Sequence, residues 1–344
     1  MTPPRRIAYN PRRRGKHLTR MWKTPMHESV AREIGRTLNS SQRPLVITHV
    51  RPDGDAIGSL LGLGLALKSV GKQVQMISPD GIPDSFRHLA GHDHVLRRPR
   101  EVFDVLIMVD CSDRSRVGQA IEEILTPDVN IDHHVTNQNF ASLNLVDVEA
   151  VATAEILARN MPAWDLPIEG PVSASLLTGL ITDTLGFRTT NMSPKVLRLA
   201  ADLMERGANL PELYAHSLSN HSFEALRYWG TGLSQLQRNG AMVWATLTLA
   251  DRAHANYPGR DDADLINVLT TIEDALVALI FVEQPGEVVK VSWRAEPGYD
   301  VSKVAMLFGG GGHPQAAGAE IVGNLEEVRS KVLNVTYDLL FNSA

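Results

Sequence analysis

Six side chains could hold cations together. They are His49, Asp53 and Asp55 in THVRPDGDAIGS, Asp110 in LIMVDCSD, His133 in IDHHVTN, and Asp183 in GLITDTLGF. Each group follows or ends a short apolar run. Ionised carboxylates crowded at one place repel each other and resist burial, so they need positive charge beside them. Two divalent cations carry four positive charges, and the set supplies four carboxylates and two imidazoles. A mixed oxygen and nitrogen donor set without thiolate suits Mn²⁺, with Mg²⁺, Fe²⁺ and Co²⁺ less favoured. Two such ions sharing a carboxylate and a water make that water acidic enough to attack phosphorus near neutral pH. An Asp-x-Asp by itself is a turn or a helix cap, and a DHH tripeptide by itself says little. Their order, with Asp110 and Asp183 behind further apolar runs, is what points to a metal centre.

Something must bring these residues together. Apolar runs at 45–47, 73–77, 104–109 and 129–131 read as strands, and the nearly pure apolar 104–109 reads as one covered on both faces. Segments 27–39, 56–70, 152–160 and 171–180 read as helices, with Gly71 closing the second. Strands alternating with helices imply an α/β fold with a doubly wound, mostly parallel sheet. Ligands in such sheets bind beyond the carboxyl ends of the strands, where these acids lie. Residues 193–239 show no convincing strand. Helices over 194–206, ended near Gly207, and over 222–237 make this stretch a helical linker. Beyond it, 241–249 and 288–294 read as strands and 264–277 as a helix, giving a smaller C-terminal α/β domain. The expected layout is a basic, disordered extension at 1–26, a catalytic domain at 27–192, the linker at 193–239 and a substrate-binding domain at 240–344.

The chain has 344 residues with a 43% apolar fraction, enough for two domains with proper cores. No apolar run approaches the ~20 residues of a membrane helix, so no membrane partner is expected. The single cysteine, Cys111, excludes an internal disulfide framework and fits a reducing, cytoplasmic setting. It reads as a small packed side chain rather than a nucleophile. Residues 1–25 hold eight of the 34 basic residues and none of the 39 acidic ones, so the remainder carries 26 against 39. The tail lacks the apolar core of a secretory signal. It reads as a disordered arm or an over-extended start, with Met21 or Met26 as the initiator, and less readily as a nucleic-acid arm. His92, His94, His216 and His221 lack an acidic cluster and read as surface residues.

Near the C-terminus, FGGGGHPQAAGAEI places four glycines, 309–312, before His313. Glycines let backbone amides approach an anion, and a helix starting after Pro314 would add its dipole. The alternative is a plain structural turn.

Together, HVRPDGDAIGS, MVDCSD, IDHHVTN and GLITDTLGF resemble the four motifs of the DHH phosphoesterase superfamily. FGGGGHPQAAGAEI resembles the signature of its DHH-associated C-terminal domain. The resemblance spans roughly 27–344 and is most like the bacterial nanoRNase and pAp phosphatase group. It implies that His49, Asp53 and Asp110 hold one metal, and that Asp55, Asp110, His133 and Asp183 hold the other. It implies that His134 faces the substrate phosphate, that Asp132 orients its neighbours, and that Asp110, Asp132, His133 and His134 form the catalytic group. On the C-terminal domain it implies substrate contacts from Arg294, Gly310, Gly311, Gly312 and His313, and it suggests a homodimer. Where the family often has Asn, this chain has Val50, which is not a ligand. The expected substrates are oligoribonucleotides of about two to five residues, as an acidic body suits better than long strands, and 3′-phosphoadenosine 5′-phosphate. The alternatives are a phosphodiesterase for cyclic or linear dinucleotides and, in another class, a non-catalytic nucleotide-binding protein.

Overall fold

The computed structural model describes residues 25–120 and 126–342. The basic arm over 1–24 lies outside the described residues. The chain divides into two compact units, one ending at Asn220 and the other beginning at His221.

In the first unit, six strands form a wholly parallel sheet: β1 (Pro44–Ile47), β2 (Gln75–Ile77), β3 (Val95–Leu96), β4 (Val105–Val109), β5 (Val129–Asp132) and β6 (Leu143–Val146), in the order β3-β2-β1-β4-β5-β6. The order reverses at β1 and β4, the central pair. Both strands are buried along their whole length, as their unbroken apolar runs require. One sheet face packs on a core around Val46, Ile107, Leu60 and Leu180, the other on a smaller one around Leu45, Leu106 and Met108.

Helices α1 (Pro25–Ser40), α2 (Gly54–Ser69), α3 (Thr153–Asn160) and α4 (Pro171–Asp183) match the expected pattern. Helix α2 is apolar nearly all round because it is buried nearly all round. Gly58 of α2 and Gly179 of α4 let the two helices approach. A Cβ on Gly58 would stand 2.5 Å from the Ser175 carbonyl oxygen, and one on Gly179 2.7 Å from Asp55 Oδ1. This contact brings the start of α2, with Asp53 and Asp55, to the end of α4, with Asp183. Helices α5 (Pro194–Glu205) and α6 (Leu210–Tyr214) complete the unit, followed by a π-helical turn at Ala215–Ser219.

The second unit opens with α7 (Phe223–Ser234) and holds a second six-stranded sheet. Its strands are β7 (Gln237–Asn239), β8 (Met242–Leu247), β9 (Val277–Gln284), β10 (Val288–Ala295), β11 (Gly311–His313) and β12 (Ala316–Val322), in the order β11-β12-β10-β9-β8-β7. Helices α8 (Leu249–Ala255), α9 (Leu265–Leu269), α10 (Val301–Leu307) and α11 (Leu325–Phe341) pack around it.

Three sequence expectations are corrected here. The helix expected over 264–277 is only Leu265–Leu269, and Val277 instead begins the long central strand β9. Its run VALIFV is continuously buried, so it carries no alternation to mark a strand. Residues after Pro314 form β12 rather than a helix, so no helix dipole adds to the glycine loop. The stretch 193–239, expected to lack strands, ends in β7, a short exposed edge strand whose polar residues gave no apolar signal.

Candidate metal centre

The first-unit site is built on strand ends. Thr48 and His49 leave β1, Asp110 leaves β4, and Asp132 ends β5 with His133 and His134 behind it. Asp53 caps α2, its Oδ1 accepting from the backbone N–H groups of Asp55 at 3.1 Å and Ala56 at 3.0 Å. Asp110 has φ +59°, a left-handed conformation that a short polar side chain tolerates better than a branched one. Asp183 closes α4 just before Leu185, Gly186 and Phe187, three consecutive residues at positive φ.

The structure brings all six expected cation donors together in two groups. Within each, one donor atom per residue lies within 4.8 Å of the others: His49, Asp53 and Asp110 in one group, Asp55, His133 and Asp183 in the other. Asp110 stands between them. Its Oδ2 is 3.5 Å from His49 Nε2, and its Oδ1 is 3.8 Å from His133 Nε2. His133 Nε2 lies 3.4 Å from Asp183 Oδ2 and 4.0 Å from Asp55 Oδ2. His134 also belongs to the cluster, its Nδ1 lying 3.7 Å from Asp110 Oδ1 and 2.7 Å from Asp132 Oδ1.

The donor orientations suit a cation. His49 Nδ1–H donates to the Val50 carbonyl at 2.8 Å, which leaves the Nε2 lone pair facing the carboxylates. That Nε2 is buried without a hydrogen-bond partner. His133 is oriented the same way, its Nδ1 on the Ala150 carbonyl at 3.3 Å. Ring nitrogens held by a carbonyl on one side and bare on the other are the usual arrangement of metal-binding histidines. The residues therefore fit a pair of divalent cations.

Electrostatics point the same way. Asp55 is held well above the usual carboxylate range, first by burial and then by the charges of Asp110, Asp183 and Asp53. Burial lifts Asp183 to about 7, with Asp53 and Asp110 adding to it against the opposing pull of His133. Burial alone would raise Asp110, but the His49 imidazole 3.5 Å away and the nearby His134 and His133 outweigh it and hold Asp110 below its ordinary value. Burial would lower His134, yet its bond to Asp132 and the charge of Asp110 raise it to about 9. Without cations, the cluster takes protons to relieve its own repulsion.

Two groups that the sequence did not single out support the donors. Thr153, at the start of α3, donates its hydroxyl to Asp110 Oδ1 at 3.0 Å. Its backbone N–H donates to Asp55 Oδ2 at 2.6 Å, and that of Ala154 to Asp55 Oδ1 at 3.0 Å. The second is Asn137, whose side chain reaches Asp132. IDHHVTN displays Asn137 openly, but only the fold shows what it touches. Cys111 is fully buried, and burial beside Asp110 and Asp132 pushes its thiol well up, against reactivity.

In the second unit, register places Arg294 and His313 on one sheet face, since both pair with Ala316. Arg294 is half-buried, with Nη1 donating to the Trp293 carbonyl at 3.0 Å. Gly310 and Gly312 have a packing reason to be glycine. A Cβ on either would stand within 2.1 Å and 2.4 Å of the Gly318 and Ala316 carbonyl oxygens. Gly311 is exposed, with open space where a Cβ would be. His92 lies in a short 3₁₀ turn, His216 stacks on His88 and His221 meets Trp229 at a tilt of 54°, none of them in the two donor groups.

Oxygen and imidazole donors gathered across the carboxyl edge of a doubly wound sheet define an α/β protein made to hold hard or intermediate divalent cations. Residues 43–181 match the DHH family, N-terminal domain, and residues 244–337 match the DHHA1 domain. The chain is 33% identical over 322 residues to the bifunctional oligoribonuclease and PAP phosphatase NrnA of Thermus thermophilus, covering 92% of this chain and 96% of that protein. The crystal structure of an exopolyphosphatase-related protein from Bacteroides fragilis shares the fold, with a TM-score of 0.84 at 24% identity over 91% of this chain and 96% of that one. RecJ of Thermus thermophilus in complex with Mn²⁺ has a TM-score of 0.50 at 13% identity, covering 92% of this chain and 55% of that one. The chain belongs to the DHH family and is a phosphoesterase.

Proposed function

We propose that this phosphoesterase hydrolyses very short oligoribonucleotides to mononucleotides, and 3′-phosphoadenosine 5′-phosphate to AMP. The observation that carries the reading is Asp110, which belongs to the His49–Asp53 group and reaches toward His133 of the other. Its two carboxylate oxygens face different groups, an arrangement open to a bridging ligand. The similarity to NrnA over nearly the whole chain supports the substrate class.

His49, Asp53 and Asp110 would hold one cation, and Asp55, Asp110, His133 and Asp183 the other, with Mn²⁺ preferred. When bound, the cations supply an activated water and stabilise charge on the phosphoryl oxygens. The chain's own residues do the rest. Asp53, fixed as a helix cap, and Asp55, fixed by α3 backbone amides, keep their carboxylates from turning away. His134, its Nδ1 held on Asp132 Oδ1 at 2.7 Å, would offer a hydrogen-bond donor to a substrate phosphate. On the second unit, Arg294 and His313 would contact nucleotide, and Gly311 would let it approach the backbone. We further propose that the enzyme works in the cytoplasm as a homodimer.

The test is turnover with Mn²⁺ on four substrates side by side: a 5′-labelled RNA dinucleotide, a long RNA, 3′-phosphoadenosine 5′-phosphate and cyclic di-AMP. The Asp132→Ala/His133→Ala double variant is the control. Rapid cleavage of the dinucleotide with the long RNA spared is the expected result. Preference for cyclic di-AMP would move the enzyme to the cyclic-dinucleotide phosphodiesterases, and Mn²⁺ binding without any turnover would make it a nucleotide-binding protein.

A further inference from the structure

Asn137 sits outside the donor groups, yet its carboxamide connects two of the strand ends that make them. Its two Nδ2–H groups are shared among three acceptors, Asp132 Oδ2 at 2.5 Å, Asn130 Oδ1 at 2.8 Å and the Cys111 carbonyl at 3.2 Å. Cys111 directly follows Asp110 at the end of β4, whereas Asn130 and Asp132 belong to β5. Asn130, fully buried, strengthens the tie by donating its own Nδ2 to the Cys111 carbonyl at 3.1 Å. The amide orientation is set by its other end. Asn137 Oδ1 accepts the Asn139 backbone N–H at 2.7 Å, so the nitrogen must face Asp132. The Asn137 backbone N–H donates to the His134 carbonyl at 3.1 Å, closing a turn that fixes Asn137 relative to the histidines.

The consequence lies at His134. Asp132 is wholly buried, its Oδ1 accepting from His134 Nδ1–H at 2.7 Å and its Oδ2 from the Asn137 carboxamide. With Oδ2 anchored, the carboxylate plane is fixed, and with it the direction of the imidazole. An aspartate free to rotate about its terminal torsion would let the ring swing. We propose that Asn137 is a positioning residue that aims His134 at the substrate phosphate by holding Asp132. The inference rests on the phosphoesterase reading above, but it concerns a residue which that reading does not use.

A double-mutant cycle tests it: wild type, Asn137→Ala, His134→Ala and the pair, assayed on the RNA dinucleotide and on 3′-phosphoadenosine 5′-phosphate with Mn²⁺. Asn137→Ala should lower kcat/KM by about 10- to 100-fold, with bound metal unchanged. Added to His134→Ala, it should cost nothing further. A full additive loss in the His134→Ala background, or a fall in metal content that accounts for the lost activity, would overturn the proposal. Asn137→Ser, which keeps a shorter donor, is run in the same cycle and decides it should the alanine variant not fold. Long-range ¹H–¹⁵N spectra of the imidazoles in the Mg²⁺-loaded protein supply a readout independent of turnover. The His134 Nδ1–H signal should shift in the Asn137 variants while the His49 signal stays. An unmoved His134 signal would overturn the proposal, and absence of wild-type turnover would instead count against the substrate reading.

Discussion

Thr153 donates its side-chain hydroxyl to Asp110 Oδ1 across 3.0 Å of fully buried space. The bond uses one oxygen of the carboxylate that faces both donor groups and so limits its rotation. Thr153→Val keeps the shape and removes the donor, leaving the backbone N–H on Asp55 in place. The variant should fold, lose about 1–3 kcal/mol of stability, and lose roughly 10-fold or more in kcat. Thermal unfolding and steady-state kinetics with Mn²⁺ check both numbers. Unchanged kcat would mean that Asp110 needs no lateral restraint.

Asp110 itself should be indispensable. In Asp110→Ala, the His49–Asp53–Asp110 group loses a member, and His49 and His133 lose the carboxylate that stands 3.5 Å and 3.8 Å away. Turnover should vanish. Metal content, read by atomic emission after gel filtration, should fall from about two ions per chain, the number expected of a shared-carboxylate site, to less than one. Retention of two ions with near-normal turnover would remove Asp110 from its bridging place.

The metal-free protein should lose stability as pH rises. Asp183 titrates at about 7 in the fold, against an ordinary value of 3.8, and Asp55 is also raised. Between those values the folded state binds more protons than the unfolded chain, so stability falls with rising pH. His134, raised from 6.5 to about 9, stabilises fully below its unfolded value, and this contribution is lost as pH climbs toward 9. Both effects have the same sign, one spanning about pH 4 to 7 and the other about 6.5 to 9. Divalent cations should cancel the first by taking the place of the protons. Scanning calorimetry of chelated protein should show Tm falling by several degrees from pH 5 to pH 8, with the gain on adding Mn²⁺ larger at pH 8. A flat metal-free Tm would mean that the acids are relieved in another way.

The candidate donors were legible because each one lies just after, or at the end of, an apolar run that had to be a buried strand or helix. Runs such as LIMV before Asp110 leave few alternatives, and a parallel sheet gathers the residues beyond its strand ends at one edge. The supporting groups were not legible. Thr153 and Ala154 serve Asp55 through backbone N–H groups, which nearly every residue has. Asn137 is marked only by which atoms it meets. In the second unit, the buried run of β9 has neither a strand period nor a helix period. The segment after Pro314 pairs with β10 and β11, contacts set by the tertiary fold that no local pattern carries.

The glycines of α2 are the last link between sequence and site, and they can be tested without touching a candidate donor. Gly58 lies against Ser175 and Gly179 of α4, and the same contact carries Asp183 to Asp55. A methyl group at Gly58 would stand 2.5 Å from the Ser175 carbonyl oxygen, a backbone atom that cannot swing aside. The helices must part, at a cost of about 1–3 kcal/mol. That movement would carry Asp183 away from His133, and the second donor group would open while the first stayed whole. Gly58→Ala should therefore lower Tm and weaken one metal site more than the other, visible as two separated steps in a Mn²⁺ titration. Gly71→Ala is the control. Gly71 lies beyond α2 at φ +89° with nothing within 4 Å of a new Cβ, so it should lose stability through backbone strain alone and keep normal metal binding. Equal weakening of both sites in Gly58→Ala would show that the α2–α4 spacing does not set the second group.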